Sequence, residues 1–332
     1  VFPPSATWQL FTRIIAIFII VTVISSTFLA VTISYVSLPG PLKEAKTLIF
    51  SRGITLRNIC NILAQEQAIK HEKFFWLILS LINKIEKIKA GEYAFTTAIT
   101  PRQIIDILIN GRSILHSITI PEGYTVKQII DKIDCDPILH GDINSNIPEG
   151  SLLPDTYFFS YGDKKQAILS RMKKKMQLTL NELWEKKAPN LPYKNKEEAL
   201  ILASIVEKEA ANYAEKKKIA AVFINRLNKG MKLQADPTTI YAITEGKYNL
   251  QRELTKRDLQ IKSDYNTYFV KGLPPTPISN PGKASIEAVL NPAVSKDIFF
   301  VLDRDGVHRF SDNLATHNQH VYNYRNNVKV NP

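Results

Sequence analysis

The chain has 332 residues, 45% of them hydrophobic and 22% charged, with a formal net charge of +12. That composition excludes a disordered or low-complexity polymer, and the length holds an anchor and two domains. A basic excess of this size suits an anionic membrane face, an acidic polymer or nucleic acid.

No charged residue occurs from Ile14 to Leu42. At about 1.5 Å per helical residue the apolar stretch Ile14 to Val36 spans roughly the 30 Å of a bilayer's hydrocarbon, so residues 14–36 are expected to form a transmembrane anchor. A cleaved secretory signal has a shorter apolar region, of about 7 to 15 residues, ahead of an A-x-A-like site, and no such site follows here. The positive-inside count, Arg13 and the amino terminus against Lys43 and Lys46, is even and does not decide orientation; residues 1–13 are expected in the cytoplasm and everything after Pro39 outside it. On that side of the membrane nucleic acid drops away as a partner.

Residues 37–45, with Pro39, Gly40 and Pro41, read as a linker. A weak repeat follows. Thr47 to Cys60 (TLIFSRGITLRNIC) and Ser117 to Ile130 (SITIPEGYTVKQII) superpose without a gap, with Gly at 53 and 123 and Thr at 55 and 125. A partial copy, Thr100 to Ile105 (TPRQII), follows the alternating segment Gly91 to Phe95. In each copy Thr stands where a helix N-cap belongs, and Ile59, Ile104 and Ile129 supply a buried face. Residues 46–115 are therefore expected to form a compact α+β module, which suits either the binding of sugar chains or a plain spacer. Cys60 and Cys135 fall on the apolar sides of predicted helices and are expected to be buried free thiols, with a single bridge as the alternative. His317 and His320 have no acidic or cysteine partner at metal-ligand spacing, so no metal is expected. No phosphate-binding loop or dinucleotide fingerprint occurs either, and no cofactor is expected.

From about Glu149 the texture changes to long helices, and residues 116–332 are expected to form a mostly helical domain that opens with a strand-helix segment, 116–160. Lys164 to Lys187 carries the stripe Ile168, Met172, Met176, Leu180, Leu183 and Trp184, which makes the basic run Arg171 to Lys175 its solvated face. Asn195 with Glu198 reads as a capping box. The next helix shows Ile219, Val222, Phe223 and Leu227 and stops at Gly230. The stretch LPPTPISNPG from Leu273 excludes regular helix and central strand. Ile298 to Leu302 and Val307 to Phe310 flank an Asp305-Gly306 turn, the pattern of a hairpin.

The chemistry points to one place. Ala199 to Ala210 is apolar or small throughout except for Glu207, Lys208 and Glu209, so a nearly all-round hydrophobic helix ends in two carboxylates. A carboxylate buried without a fixed partner favours its neutral form, and a neutral carboxylic acid near pH 7 is a proton donor. Two positions on a helix differ by about 200°, so only one of the pair faces a cleft.

The stretch Ala203 to Tyr241, ASIVEKEAANYAEKKKIAAVFINRLNKGMKLQADPTTIY, resembles the signature of the membrane-anchored endolytic murein transglycosylases, the YceG-like family. EGSLLPDTY (149 to 157) and YNTYFVKGLPPTPISNPG (265 to 282) extend the resemblance, and the repeats before them resemble LysM modules. The resemblance implies an α+β architecture: a transmembrane helix, a LysM-like module at 46–115 and a catalytic domain at 116–332. It implies a lyase that cuts peptidoglycan between N-acetylmuramic acid and N-acetylglucosamine, leaves 1,6-anhydro-muramyl ends and terminates strand elongation. It also implies an inner-membrane protein with its catalytic domain on the periplasmic side and peptidoglycan synthases as partners. The catalytic residue carried over is Glu209, with Glu207 as the alternative. The family commonly has Thr after that glutamate, where this chain has Ala210. Gln234, Asp236, Tyr265, Asn266, Thr267 and Tyr268 offer the amides, hydroxyls and aromatic faces that hold sugars. Each also has a plainer reading: Asp236 before Pro237 suits a helix N-cap, and the Tyr265 to Tyr268 run suits packing against the glutamate helix.

Two readings from other classes fit part of the sequence. Ser170-Arg171-Met172-Lys173 and Ser311-Asp312-Asn313 match two elements of the penicillin-binding serine sites, but the first lies on a basic helix and no K-T-G follows. A non-enzymatic, membrane-anchored peptidoglycan-binding scaffold would explain the repeats and the anchor. It would leave a glutamate at the end of a buried helix without a purpose.

Overall fold

The computed structural model describes residues 6–51, 53–82, 88–111, 113–210, 212–303 and 306–328. They form two compact units. The first runs to His116 and includes Ser160–Gly162; the second holds Ser117–Phe159 and the chain from Asp163 onward.

The first unit begins with α1 (Ala6–Ser37), whose segment Leu10–Ser37 has a mean hydropathy of 2.8 and is not buried by other parts of the protein. It is long and apolar enough to cross a membrane. The hydroxyls of Thr22, Thr27 and Thr32 each donate to the carbonyl four residues earlier at 2.8 Å, which satisfies them inside the helix as an apolar medium requires. β1 (Lys46–Phe50) pairs antiparallel with β2 (Gly91–Phe95), and the helices α2 (Leu56–Gln65), α3 (Glu72–Ile82) and α4 (Pro101–Ile109) complete the unit. Their common core includes Phe50, Leu63, Phe75, Tyr93, Phe95, Ile104 and Leu108.

The second unit takes up the chain within β3 (Leu115–Thr119), which pairs with β4 (Thr156–Ser160), with α5 (Val126–Asp134) between them in sequence. The repeat seen in the sequence has a physical counterpart. Thr55, Thr100 and Thr125 all cap their helices, accepting the N–H three residues on at 3.2 to 3.3 Å. Gln103 and Gln128 close the box by returning a bond to the cap residue's own N–H. Gly53 and Gly123 share a left-handed backbone, at φ +78 and +76, which a side chain would strain. Cys60 is buried as expected, whereas Cys135 stands at the C-cap of α5 and is exposed, because the helix ends there and its apolar face does not extend to that position.

Helices dominate the rest: α6 (Lys165–Glu185), α7 (Lys196–Glu209), α8 (Lys216–Asn228), α9 (Asp236–Thr244), α10 (Lys283–Leu290) and α11 (Leu314–Val328). α7, α8 and α10 pack on one another around Leu202, Ile205, Val206, Phe223, Ile286 and Val289. β5 (Phe299–Leu302) and β6 (His308–Ser311) form an antiparallel pair with Leu302 opposite His308. Of the expected turn, Gly306 has φ +73, and Asp305 lies outside the described residues. The cap of α7 differs from a capping box. Asn195 accepts from the Glu198 N–H at 2.9 Å, but the Glu198 carboxylate turns to the N–H of Lys194, one residue before the cap, at 2.7 Å.

One buried side chain ties the opening segment to the helical body. Asn280 accepts the Leu152 N–H at 2.9 Å and donates to the Tyr124 carbonyl at 3.0 Å and to Glu149 at 2.8 Å. Its own backbone N–H and carbonyl bond Tyr124 and Gly123. Asn280→Ala should therefore leave buried groups unpaired and cost about 2 to 4 kcal/mol. Urea unfolding of the detergent-solubilised chain measures this, and a loss below about 0.5 kcal/mol would contradict it.

Candidate active site

The site is built on the end of α7. From Ala199 to Val206 the helix is buried on nearly every side, with only Leu200 part-exposed, so its last turn is held by packing all round. Ala210 leaves the helix with an extended backbone (φ −75, ψ 119), although its N–H still bonds the Val206 carbonyl at 3.0 Å. The two glutamates in that turn point into different surroundings, as the helical spacing requires.

Glu207 faces inward and is fully engaged. Its carboxylate accepts from Lys216 Nζ at 2.9 and 3.1 Å, from the Gly282 N–H at 2.9 Å and from Ser285 Oγ at 2.7 Å. Lys216 also reaches Glu122 at 3.1 Å. Burial pulls the Lys216 ammonium toward neutrality, but its bonds to Glu207 and then Glu122 outweigh that and hold its pKa above the ordinary value.

Glu209 faces a cavity of about 390 Å³ that it shares with Arg226, Gln234, Asp236, Tyr268, Phe300 and His308. Burial, and then the negative charge of Asp236, push the Glu209 carboxyl up to about 8, against a weaker pull down from Arg226 and the Asp236 N–H. It is thus neutral at pH 7, with a proton to give.

Asp236 is the first residue of α9 rather than its cap. Ala235 is the N-cap and makes no side-chain bond, which leaves the Asp236 carboxylate to accept from Tyr268 Oη at 2.6 Å. Burial, and then the bond to Asp236, raise the Tyr268 pKa and keep its hydroxyl protonated. Gln234 holds a left-handed backbone at φ +51, unusual for a residue with a side chain, and its N–H bonds the Thr267 carbonyl at 3.2 Å.

Asn266 and Thr267 stand behind the wall rather than in it. Asn266 is fully buried; it accepts from Thr239 Oγ1 and the Tyr268 N–H and donates to the carbonyls of Leu259 and Ile261. Thr267 Oγ1 accepts the Ala235 N–H at 3.0 Å and meets Thr238 Oγ1 at 2.8 Å. These bonds join the Tyr265 to Tyr268 run to α9, not to the glutamate helix. Tyr265 turns to a separate cavity, its ring 4.9 Å from that of Tyr241 and its hydroxyl 2.7 Å from Thr276 Oγ1.

Arg226 and His308 were not anticipated. Arg226 donates to the carbonyls of Leu233 and Ile298, each at 2.6 Å, so it fixes both the 232–234 loop and the base of β5. A cation recurring on the apolar stripe of Ile219, Val222 and Phe223 was the available signal. His308 Nδ1 pairs with Glu215 at 2.8 Å and its backbone N–H with the same carboxylate at 2.7 Å. That leaves Nε2 as the ring atom open to the cavity. Burial alone would raise the Glu215 pKa, but the bonds from His308 bring it below its ordinary value.

Comparisons with known proteins agree on one family. Residues 49–323 match the YceG-like family. The endolytic murein transglycosylase of Bacillus subtilis (strain 168) is 32% identical over 314 residues, which is 83% of this chain and 85% of that protein. That of Streptococcus pneumoniae serotype 2 is 25% identical over 86% of this chain, and the match spans 59% of the streptococcal protein. A 2.6 Å crystal structure of a yceG-like protein from Listeria monocytogenes superposes with a TM-score of 0.51 at 31% identity, over 83% of this chain and 99% of that one.

The two glutamates should separate in stability. Glu207→Gln uncouples a buried lysine from its charge and should cost about 2 to 4 kcal/mol at neutral pH. Glu209→Gln should do the reverse. A carboxyl whose folded pKa lies above its unfolded value of 4.5 contributes stability that is complete below pH 4.5 and is lost as pH rises through about 8. Melting scans should therefore coincide for Glu209→Gln and the parent at about pH 4.5 and separate by about pH 9, with the variant more stable by on the order of 3 to 5 kcal/mol. Parallel melting curves across that range would contradict the buried, neutral state.

Proposed function

The chain belongs to the YceG-like family, and from that membership together with the protonated state of Glu209 we propose that it is a peptidoglycan lytic transglycosylase acting within glycan strands. The single observation that carries the chemistry is the half-buried Glu209 carboxyl at the end of α7, set on a cavity shared with Arg226, Gln234, Asp236 and Tyr268, where burial pushes it up to about 8.

Glu209 first protonates the oxygen that bridges the anomeric carbon of N-acetylmuramic acid to N-acetylglucosamine, and that bond breaks. The resulting carboxylate takes the proton of the muramyl 6-hydroxyl, whose oxygen bonds to the anomeric carbon and closes the 1,6-anhydro ring. The proton moves from one substrate oxygen to the other through Glu209, and no water is consumed. A hydrolase needs a second carboxylate to act as nucleophile or to activate water. Here the substrate supplies the nucleophile, so Asp236 is free for another role. Its charge raises the Glu209 pKa and favours positive charge developing at the anomeric carbon. Tyr268, Gln234 and the Nε2 of His308 offer hydrogen bonds to sugar hydroxyls and acetamido groups. Asn266 and Thr267 act by positioning Tyr268 and Gln234, and Tyr265 contacts substrate only if the strand extends past α9.

In the wider reading α1 is a single-pass anchor of the inner membrane, with both units outside the cytoplasm. The LysM-like repeats of residues 46–115 hold glycan, and cutting nascent strands ends their elongation beside peptidoglycan synthases. The family membership and the apolar length of α1 support this reading.

Mass spectrometry of muropeptides released from intact glycan by the full chain in detergent tests the chemistry. Anhydro-terminated products are expected; reducing ends would mean hydrolysis, and intact strands would mean a scaffold. Glu209→Gln should lower the rate by about 10²- to 10⁴-fold.

Asp236→Asn removes the like charge beside Glu209 and should lower that group's pKa. The first step needs the protonated acid, so the alkaline limb of the pH–rate profile should move to lower pH while the anhydro product is kept. An unmoved limb would separate Asp236 from the acid.

A further inference from the structure

α3, with the sequence EKFFWLILSLI, is hydrophobic all round although the first unit covers only one side of it. Phe75, Ile78 and Leu79 are buried at the spacing of one helix face, Phe75 and Leu79 in the core of that unit. The other face, at i, i+3, i+4, i+7 and i+8, carries Lys73, Trp76, Leu77, Ser80 and Leu81. Trp76 is 42%, Leu77 37% and Leu81 65% exposed. A helix on the surface of a water-soluble domain puts polar residues there. The single hydroxyl on this face, Ser80 Oγ, is spent on the Trp76 carbonyl at 2.8 Å, so between Lys73 and Leu81 the Trp76 indole N–H is the one polar side-chain group left to face the surroundings.

Position supplies the occupant. Phe74, at the edge of the stripe, meets Phe28 and Tyr35 of α1 edge-on, with ring centroids 6.2 and 5.0 Å apart. The apolar segment of α1, at about 1.5 Å per residue, is roughly 40 Å long, which exceeds the hydrocarbon layer of about 30 Å. Its last turn therefore stands near the level of the headgroups, where Tyr35 meets α3, and Phe28 lies about 10 Å deeper. At about 16 Å, α3 is too short to cross the bilayer itself. An apolar stripe with a tryptophan and a flanking lysine suits the boundary between headgroups and acyl chains.

We propose that the outer face of α3 lies in the membrane interface beside α1, so that the first unit is docked on the lipid surface by a second, non-spanning helix. The proposal rests on the reading of α1 as an anchor. Docking of this kind fixes the first unit's orientation to the bilayer, which a single spanning helix followed by a linker does not.

Spin labels placed on the full chain in vesicles of phosphatidylethanolamine and phosphatidylglycerol test it. Single cysteines replace Leu77, Leu81, Ile24 in α1, or the exposed Lys174 in α6, with Cys135→Ser removing the exposed thiol. Collision rates with oxygen, which concentrates in lipid, and with a water-soluble nickel chelate are then compared. The oxygen-to-nickel ratio at 77 and 81 is expected several-fold above that at 174 and below that at 24. Ratios at 77 and 81 equal to that at 174 would overturn the docking, as would labels closed to both reagents, which mean a protein partner. A ratio at 24 as low as that at 174 would instead sink the anchor reading on which the docking stands.

Discussion

The buried pair between Glu207 and Lys216 is the constraint around which the second unit is arranged. Four separate stretches of chain meet there: the last turn of α7, the first residue of α8, the start of α10 through Gly282 and Ser285, and the opening segment through Glu122. Two charges taken out of water are tolerable only when paired and further hydrogen-bonded, so none of the four can drift without exposing an unbalanced charge. The approach is close enough to dictate composition. A Cβ on Gly282 would fall 1.7 Å from Glu122 Oε1, so any larger residue there would push the Glu122 carboxylate off Lys216.

What this cluster holds in place is the neighbour two residues on. Glu207 and Glu209 share a helix turn and a residue type, yet their environments give them opposite states. One carboxylate has four donor contacts, two of them from a cation; the other has burial and a nearby like charge. The same principle of sorting acid from spectator by environment applies wherever two carboxyls lie close together. Arg226 completes the arrangement from the far wall. Its guanidinium is committed to backbone carbonyls of the 232–234 loop and the β5 base, so it shapes the cavity while only partly offsetting the rise in Glu209.

Much of this was legible in the sequence where the signal is local. The repeated Thr at 55, 100 and 125 read as caps because capping depends on residues three positions apart, and all three do cap. Helix periodicity separated Glu207 from Glu209 for the same reason. What escaped depends on contacts between distant segments. The Glu215–His308 pair bridges residues far apart in the chain, and no spacing rule could have joined them. Asn266 looked like a sugar ligand because its amide is chemically apt, but the fold spends every polar atom of that amide on α9 and neighbouring backbone. Asp236 looked like a cap because D-P commonly is one; the helix begins a residue earlier, which frees its carboxylate for Tyr268.

The central claim is that Glu209 carries a proton at the pH where the chain works, because burial and the charge of Asp236 outweigh the pull of Arg226 and the Asp236 N–H. Infrared difference spectra between the parent and Glu209→Gln, recorded as a function of pH, follow that one carboxyl directly. The account predicts a protonated C=O stretch at pH 7 that disappears with a midpoint near 8. A carboxylate band already present at pH 6, titrating near the ordinary value of 4.5, would contradict it.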